Sequence, residues 1–224
     1  ISTPDFWHVP MAVTALRAGK DVACEKPLTR NIAEGRLLCD VVTATKRVFR
    51  TDSEFRSNRT MHRAAQLVRN GKIGKLQRII TMTPKDPTLP AQLDMPVPEE
   101  LDYEMWQGPA VRRPYTVQRV HPRQDAKGRP GWLCISDYAD GMMANWGAHL
   151  NDLALWGADL DHSGPVTIEG TGKFPPKENL WDVISEFDVT FTYANGGRFS
   201  ARRRARSFAG KEPKAGSRSN TRTK

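Results

Sequence analysis

Asp21-Val-Ala-Cys-Glu-Lys-Pro27 is the stretch that decides the fold: a short apolar run, closed by proline, between two segments of helical spacing. A run this short, bounded by turn residues, reads as a buried strand. Upstream, Trp7, Met11, Ala12, Val13 and Leu16 recur at helical spacing and Gly19 supplies a stop. Downstream, Asn31 is placed to cap a second helix, with Glu34 completing a capping-box pattern and Leu37, Leu38, Val41 and Val42 on one face. Val48–Thr51 is the next strand candidate. A third helix is expected over Asn58–Arg69, ending at Asn70-Gly71, and a strand over Leu76–Thr83. Strand and helix thus alternate through the first eighty residues, which predicts parallel βαβ units and an α/β fold class.

Residues 84–135 break this rhythm. They are rich in Pro, Arg and Gly with single aromatics, and predict a long irregular segment of the kind that carries function. A helix follows over Met142–Trp156, then strands over Val166–Thr171 and Glu186–Tyr193, the second alternating Phe187, Val189, Phe191 and Tyr193. Asn195-Gly196 is a hairpin-type turn. From Arg198 onward large apolar residues are scarce, so 198–224 is expected to be a disordered basic tail.

The net charge of +9 over 224 residues belongs to that tail, which holds ten of the 34 Lys and Arg and one of the 25 acids. Residues 1–197 are electrically balanced, so no nucleic-acid partner is expected of the folded part. Cys24, Cys39 and Cys134 lie far apart, which suits reduced, buried thiols better than a disulfide framework or a zinc site. No apolar run reaches the roughly 18 residues of a membrane span. The chain opens Ile1-Ser-Thr-Pro-Asp5 without an initiator Met, which suggests a processed or partial chain. The cytoplasm is the default location, and any export signal would lie ahead of residue 1.

Two groups could carry chemistry. Lys26 sits where a parallel strand ends, the place where open α/β sheets bind ligands, and its ammonium could stabilise developing negative charge there. It reads equally as a surface lysine beside a turn proline. Asn145, His149 and Asp152, spaced i, i+4, i+7, fall within about 60° of one another on a helix. His149 is then a candidate general base, and Asn145 and Asp152 candidate substrate contacts. A satisfied core histidine is the plainer alternative, and no further ligands accompany the triplet to make a metal site. Tyr103, Arg119 and His121 are candidate substrate contacts in the irregular segment.

Thr3-Pro4-Asp5-x-x-His8, Ala18-Gly19-Lys20, Glu25-Lys26-Pro27, Arg56, Gly71-Lys72-Ile73-Gly74-Lys75, Trp106-Gln-Gly-Pro-Ala110 and Asn145-x-x-x-His149-x-x-Asp152, in this order, resemble the Gfo/Idh/MocA family of NAD(P)-dependent oxidoreductases, in a bacterial subgroup. The resemblance covers roughly residues 1–197 and implies hydride transfer between NAD or NADP and a sugar, polyol or cyclitol. It implies Lys26 and His149 in proton-handling roles, and Thr3, Pro4, His8, Glu25, Lys26 and Pro27 along the cofactor. A cis Lys26-Pro27 bond follows from the same likeness. Many relatives carry Asp where Asn145 stands, so either His149 carries proton transfer alone, or this branch uses different chemistry, or it has lost activity.

Residues 1–54 then correspond to the C-terminal part of a Rossmann-like parallel sheet. Residues 55–197 correspond to an α+β substrate domain with an open, mainly antiparallel sheet, through which the family forms homo-oligomers. The Gly-x-Gly-x-x-Gly fingerprint is not in the sequence; Gly170-Thr-Gly172 runs on into Lys-Phe-Pro. A non-catalytic remnant or interaction module lacking the cofactor half is the alternative.

Overall fold

The computed structural model describes residues 1–120 and 131–203. Helix α1 (Asp5–Arg17) buries Val9, Ala12, Val13 and Leu16 against Val22 and Cys24 of strand β1 (Val22–Glu25) and against Leu38 and Val41 of helix α2 (Ile32–Thr45). Met11, expected on the apolar face, is 40% exposed; the buried stripe is rotated toward Phe6 and Val9. Cys39 is likewise exposed, whereas Cys24 and Cys134 are buried. The Asn31 side chain accepts from Glu34 N–H at 2.9 Å, fixing the start of α2.

Strand β2 (Phe49–Asp52) pairs in parallel with β1, Val22 opposite Phe49 and Glu25 opposite Asp52. On the other side of β1, Ile1 donates to Ala23 O and accepts from Glu25 N–H, the bond pattern of a parallel neighbour. A 3₁₀ turn (Glu54–Ser57) then leads into helix α3 (Arg59–Arg69), capped by the Asn58 side chain.

Strand β3 (Ile79–Met82) does not continue the first sheet. It joins a second sheet as an edge strand, parallel to β6 (Arg198–Arg203), in the order β3-β6-β5-β4, with β4 (Pro165–Lys173) and β5 (Glu186–Tyr193) antiparallel. The run of βαβ units expected over eighty residues therefore ends at β2.

The expectation of a tail from Arg198 is corrected as well, since its first residues are strand. Arg198–Arg203 forms an inner strand, because Phe199 and Ala201 alternate into the core opposite Phe191 and Val189. Gly196, at φ +80°, makes the turn that returns the chain. The opposite face carries the Asp188–Arg202 pair and the Thr190–Ser200 contact.

Helix α6 (Gly141–Gly157) packs between α3 and this sheet, with Ala154, Leu155 and Met143 against the cluster of Leu160, Phe187, Tyr193 and Phe199. The segment between β3 and α6 holds the short helices α4 (Tyr103–Gln107) and α5 (Val117–Val120). It is fastened to α1 by Trp7, whose ring lies on Gly108. That glycine has φ +46°, and a Cβ there would sit 2.2 Å from the indole. Among the described residues no helix is long and apolar enough to cross a membrane.

If β6 is structural, Phe199→Ala, which empties a site 2% exposed and stacked on Phe191, lowers unfolding free energy by about 3–5 kcal/mol in urea titration. A loss of only a few tenths would return these residues to the tail.

Candidate functional site

Three elements meet: the loop after β1, the turn after β2, and the middle of α6. Each is set by its own sequence. Pro27 ends β1, so Lys26 leaves the sheet at its carboxyl end. Glu54 and Phe55 occupy the corresponding end of β2. Helix α6 is held at its first turn by Asp86, a buried carboxylate whose two oxygens each accept from Met142 N–H at 3.0 Å. Arg30, in the loop before α2, donates at 2.6 Å to the carbonyls of Ser136 and Asp137, tying that loop to the approach to α6.

Lys26 reaches across and donates to the Asn145 carbonyl at 3.5 Å. His149 lies one turn further along α6, 7% exposed, its ring stacked on Phe55 at 4.7 Å and its Nε2 3.7 Å from Glu54. Its Nδ1 is buried with no hydrogen-bond partner. Burial holds the His149 pKa below the ordinary imidazole value, and the Lys26 cation pushes it the same way against Glu54, Glu25 and Asp152. Lys26, Asn145 and His149 thus share one site, and the imidazole there is a neutral proton acceptor near pH 7.

The remaining expected residues are placed differently. Both oxygens of Asp152 are engaged by Arg56, at 2.8 and 2.7 Å; Arg56 also pairs with Asp161, and Arg69 with Asp159 and Asp161. Asp152 therefore belongs to an ion-pair network that joins the 3₁₀ turn and α3 to α6. His8 is buried with Nδ1 3.1 Å from Pro27 O and Nε2 3.0 Å from Thr3 O, so its ring fastens α1 to the Lys26-Pro27 turn. Lys26-Pro27 is cis. Pro4 is the residue preceding α1, and Glu25 accepts from Lys26 N–H at 3.3 Å.

Thr3 Oγ1 is buried without a partner, beside the same turn, and is a group that a ligand amide or hydroxyl could satisfy. Arg119 donates to Pro114 O and lies over the Tyr138 ring, lining a cavity of about 240 Å³ whose walls include none of Lys26, Asn145 or His149. Tyr103 donates to Pro114 O within an aromatic cluster with Tyr115 and Trp106. His121 lies outside the described residues.

Sequence reasoning missed Asp5, Glu54 and Phe55. The rule that ligands sit at carboxyl ends of strands points to the latter two. Asp5, in the first turn of α1, looks like an ordinary complement to the helix dipole. In the structure it is 6% exposed, and burial pushes its pKa up to about 7 against the lowering influence of Lys26 and Arg30, with Asp140 adding to the rise.

The family model described as "Oxidoreductase family, C-terminal alpha/beta domain" matches residues 88–204, and that described as "Oxidoreductase family, NAD-binding Rossmann fold" matches residues 1–53. A levoglucosan dehydrogenase from Pseudarthrobacter phenanthrenivorans is 32% identical over 76 residues, which is 34% of this chain and 20% of that protein. Two solved structures share the fold. An inositol dehydrogenase homologue from Azotobacter vinelandii, complexed with NADH and myo-inositol, has a TM-score of 0.59 at 14% identity, over 90% of this chain and 42% of that one. An aldose-aldose oxidoreductase from Caulobacter crescentus, complexed with glycerol, has a TM-score of 0.59 at 16% identity, over 89% and 48%. The chain spans less than half the length of each of these relatives.

A carboxyl whose pKa is raised by folding costs stability as pH climbs from its unfolded value of 3.8 to its folded value of about 7. Asp5→Asn should therefore gain stability over the parent, by an amount that grows from pH 4 to 7, reaches on the order of a few kcal/mol and then levels off. Denaturation curves at pH 4, 5.5, 7 and 8 read this; a pH-independent difference would place Asp5 in water.

Proposed function

Because the chain belongs to the Gfo/Idh/MocA oxidoreductase family, we propose that it carries the substrate side of a NAD(P)-dependent dehydrogenase acting on a carbinol of a sugar, polyol or cyclitol. The observation that carries the reading is the meeting of Lys26 and α6, an ammonium beside a buried neutral imidazole at the carboxyl ends of two parallel strands. Small polyhydroxy compounds in the names and bound states of the relatives support the substrate class.

The residues present suit a nicotinamide at this position only in part. Thr3, with its buried, unpartnered hydroxyl, and Lys26 are the polar groups that would meet it, and Pro4, Glu25 and Pro27 adjoin them in the chain. His8 acts from behind, since both its nitrogens meet backbone carbonyls. When bound, the nicotinamide supplies the hydride acceptor.

The work of the protein is then polar. The Lys26 ammonium donates to the substrate oxygen and stabilises the charge that builds there as the carbinol C–H bond gives up its hydride. His149, as the neutral imidazole, takes the hydroxyl proton, leaving a carbonyl. Glu54, 70% exposed and 3.7 Å from Nε2, favours the imidazolium and leads toward solvent. Phe55 fixes the ring plane by stacking, and the Arg56–Asp152 pair holds the turn that carries Phe55 against α6.

The test is turnover by the chain, alone and extended by whatever in-frame segment its gene encodes, followed as NAD(P)H formation on a panel of sugars and polyols. In the active form, Lys26→Ala and His149→Ala each lower kcat by about 10²–10⁴-fold. The acid limb of the pH profile falls below the ordinary histidine value of 6.5, because only the neutral ring accepts a proton and burial lowers its pKa; Glu54→Gln moves the limb further down. Full activity in both alanine variants would refute the assignment.

A further inference from the structure

Residues 55–85 carry eight Lys and Arg and no Asp or Glu. The even balance of the first 197 residues therefore hides a local excess of positive charge. Two of the eight are neutralised from α6 and the loop after it, Arg56 by Asp152 and Asp161, and Arg69 by Asp159 and Asp161. Two others, Lys75 and Arg78, stand on the approach to β3 and line a cavity of about 440 Å³. Arg198, the first residue of β6, is the third cation in its wall. The parallel pairing of Ile79 with Phe199 explains the meeting: one position earlier on each chain segment, Arg78 and Arg198 stand side by side.

No carboxylate lines the cavity, and none of the ion pairs among the described residues includes Lys75, Arg78 or Arg198. Asp159, next in the chain to the lining Ala158, is held by Arg69. The turn between β5 and β6 adds a donor. Asn195 Oδ1 accepts from Gly197 N–H at 2.9 Å, which leaves the amide nitrogen as the end that donates elsewhere. Leu76, Ile79 and Leu160 supply an apolar part of the wall. Like charges around one small volume repel one another, and an anion placed among them turns that repulsion into attraction.

We propose that this cavity binds a small phosphorylated metabolite, its phosphate held among Lys75, Arg78 and Arg198 and its sugar- or base-sized body against Leu76, Ile79 and Leu160. A guanidinium fork meets two phosphate oxygens at once, and the lysine adds a point charge. A phosphomonoester is close to a dianion above pH 7, which answers three cations better than a single carboxylate does. The volume is that of a small-molecule site and exceeds what a bare phosphate fills. The walls include none of Lys26, Asn145 or His149, so the site is separate from the one assigned to hydride transfer and stands or falls without that reading.

The test is a ¹H–¹⁵N titration of the full chain at pH 7.5 with glucose 6-phosphate, AMP and inorganic phosphate, and with glucose and adenosine as uncharged controls. The Gly196 and Gly197 amides, in the wall of the cavity, report on it directly, so anion binding elsewhere on the basic chain is not counted. At least one ester should shift both amides to saturation and bind more tightly than inorganic phosphate, and the uncharged controls should shift neither. Inorganic phosphate binding as tightly as both esters, or no shift with any of the three anions, overturns the proposal.

Arg78→Gln and Arg198→Gln, with circular-dichroism spectra unchanged, should each weaken the ester at least about fivefold, because each removes a charge-assisted hydrogen-bonding fork. Lys72→Gln, which removes an exposed cation of the same segment outside the cavity, should leave the affinity unchanged. No loss in the two arginine variants overturns the proposal. An equal loss in Lys72→Gln also overturns it, since the attraction is then a diffuse one for polyanions, nucleic acid among them. Should the β6 variant fail to fold, Lys75→Gln, outside both sheets, carries the same expectation.

Discussion

The structure hangs on the crossing between the turn after β1 and the middle of α6. A strand end and a helix separated by more than a hundred residues meet through Lys26 Nζ and the Asn145 carbonyl, and the same seam is sewn by Arg30 to the carbonyls of Ser136 and Asp137. The two Arg30 bonds, at 2.6 Å, join a charged donor to backbone acceptors and are stronger than neutral pairs and directional; the Lys26 contact, at 3.5 Å, is long. The apolar cluster of Phe6, Trp7, Trp106 and Tyr138 crosses the same seam, so the two sheets, each with its own apolar cluster, are joined by packing as well as by these bonds.

Burial sets the charge logic of that seam. Asp5 and His149 are both removed from water, which disfavours the charged form of each. The Lys26 cation then acts in opposite directions: it opposes burial at the carboxyl and reinforces it at the imidazole. One ammonium thus favours the deprotonated form of both groups, leaving a neutral imidazole beside a cation. Asp152, on the same helix, has both its oxygens engaged by Arg56.

The local elements were largely legible in the sequence. Val22–Cys24 and the Asn31 cap gave the first βαβ unit, and the alternation from Phe187 to Tyr193 gave β5 at its full length, because both signals are short-range. What failed was long-range. Strand β6 carries Arg198, Arg202 and Arg203 on a run of basic residues that masks the alternation of Phe199 and Ala201, and only pairing with β5 and β3 reveals it. β3 had the composition of a parallel strand, but which sheet it joins depends on a partner more than a hundred residues away. In the site, Lys26 and His149 follow from strand-end placement and helical spacing together with the family likeness. Asp5 and the Arg56–Asp152 bond do not, since nothing in a one-dimensional pattern tells which acid meets which base across 96 residues.

The central claim is that one ammonium and one imidazole occupy a common, poorly hydrated crevice. The most direct measurement is the ¹H–¹⁵N titration of the His149 ring in the parent chain and in Lys26→Met. The account predicts a His149 pKa below 6.5 in the parent and a clear rise when the cation is removed. A ring that titrates at its ordinary value in both proteins would show that Lys26 and His149 face different environments, and would contradict it.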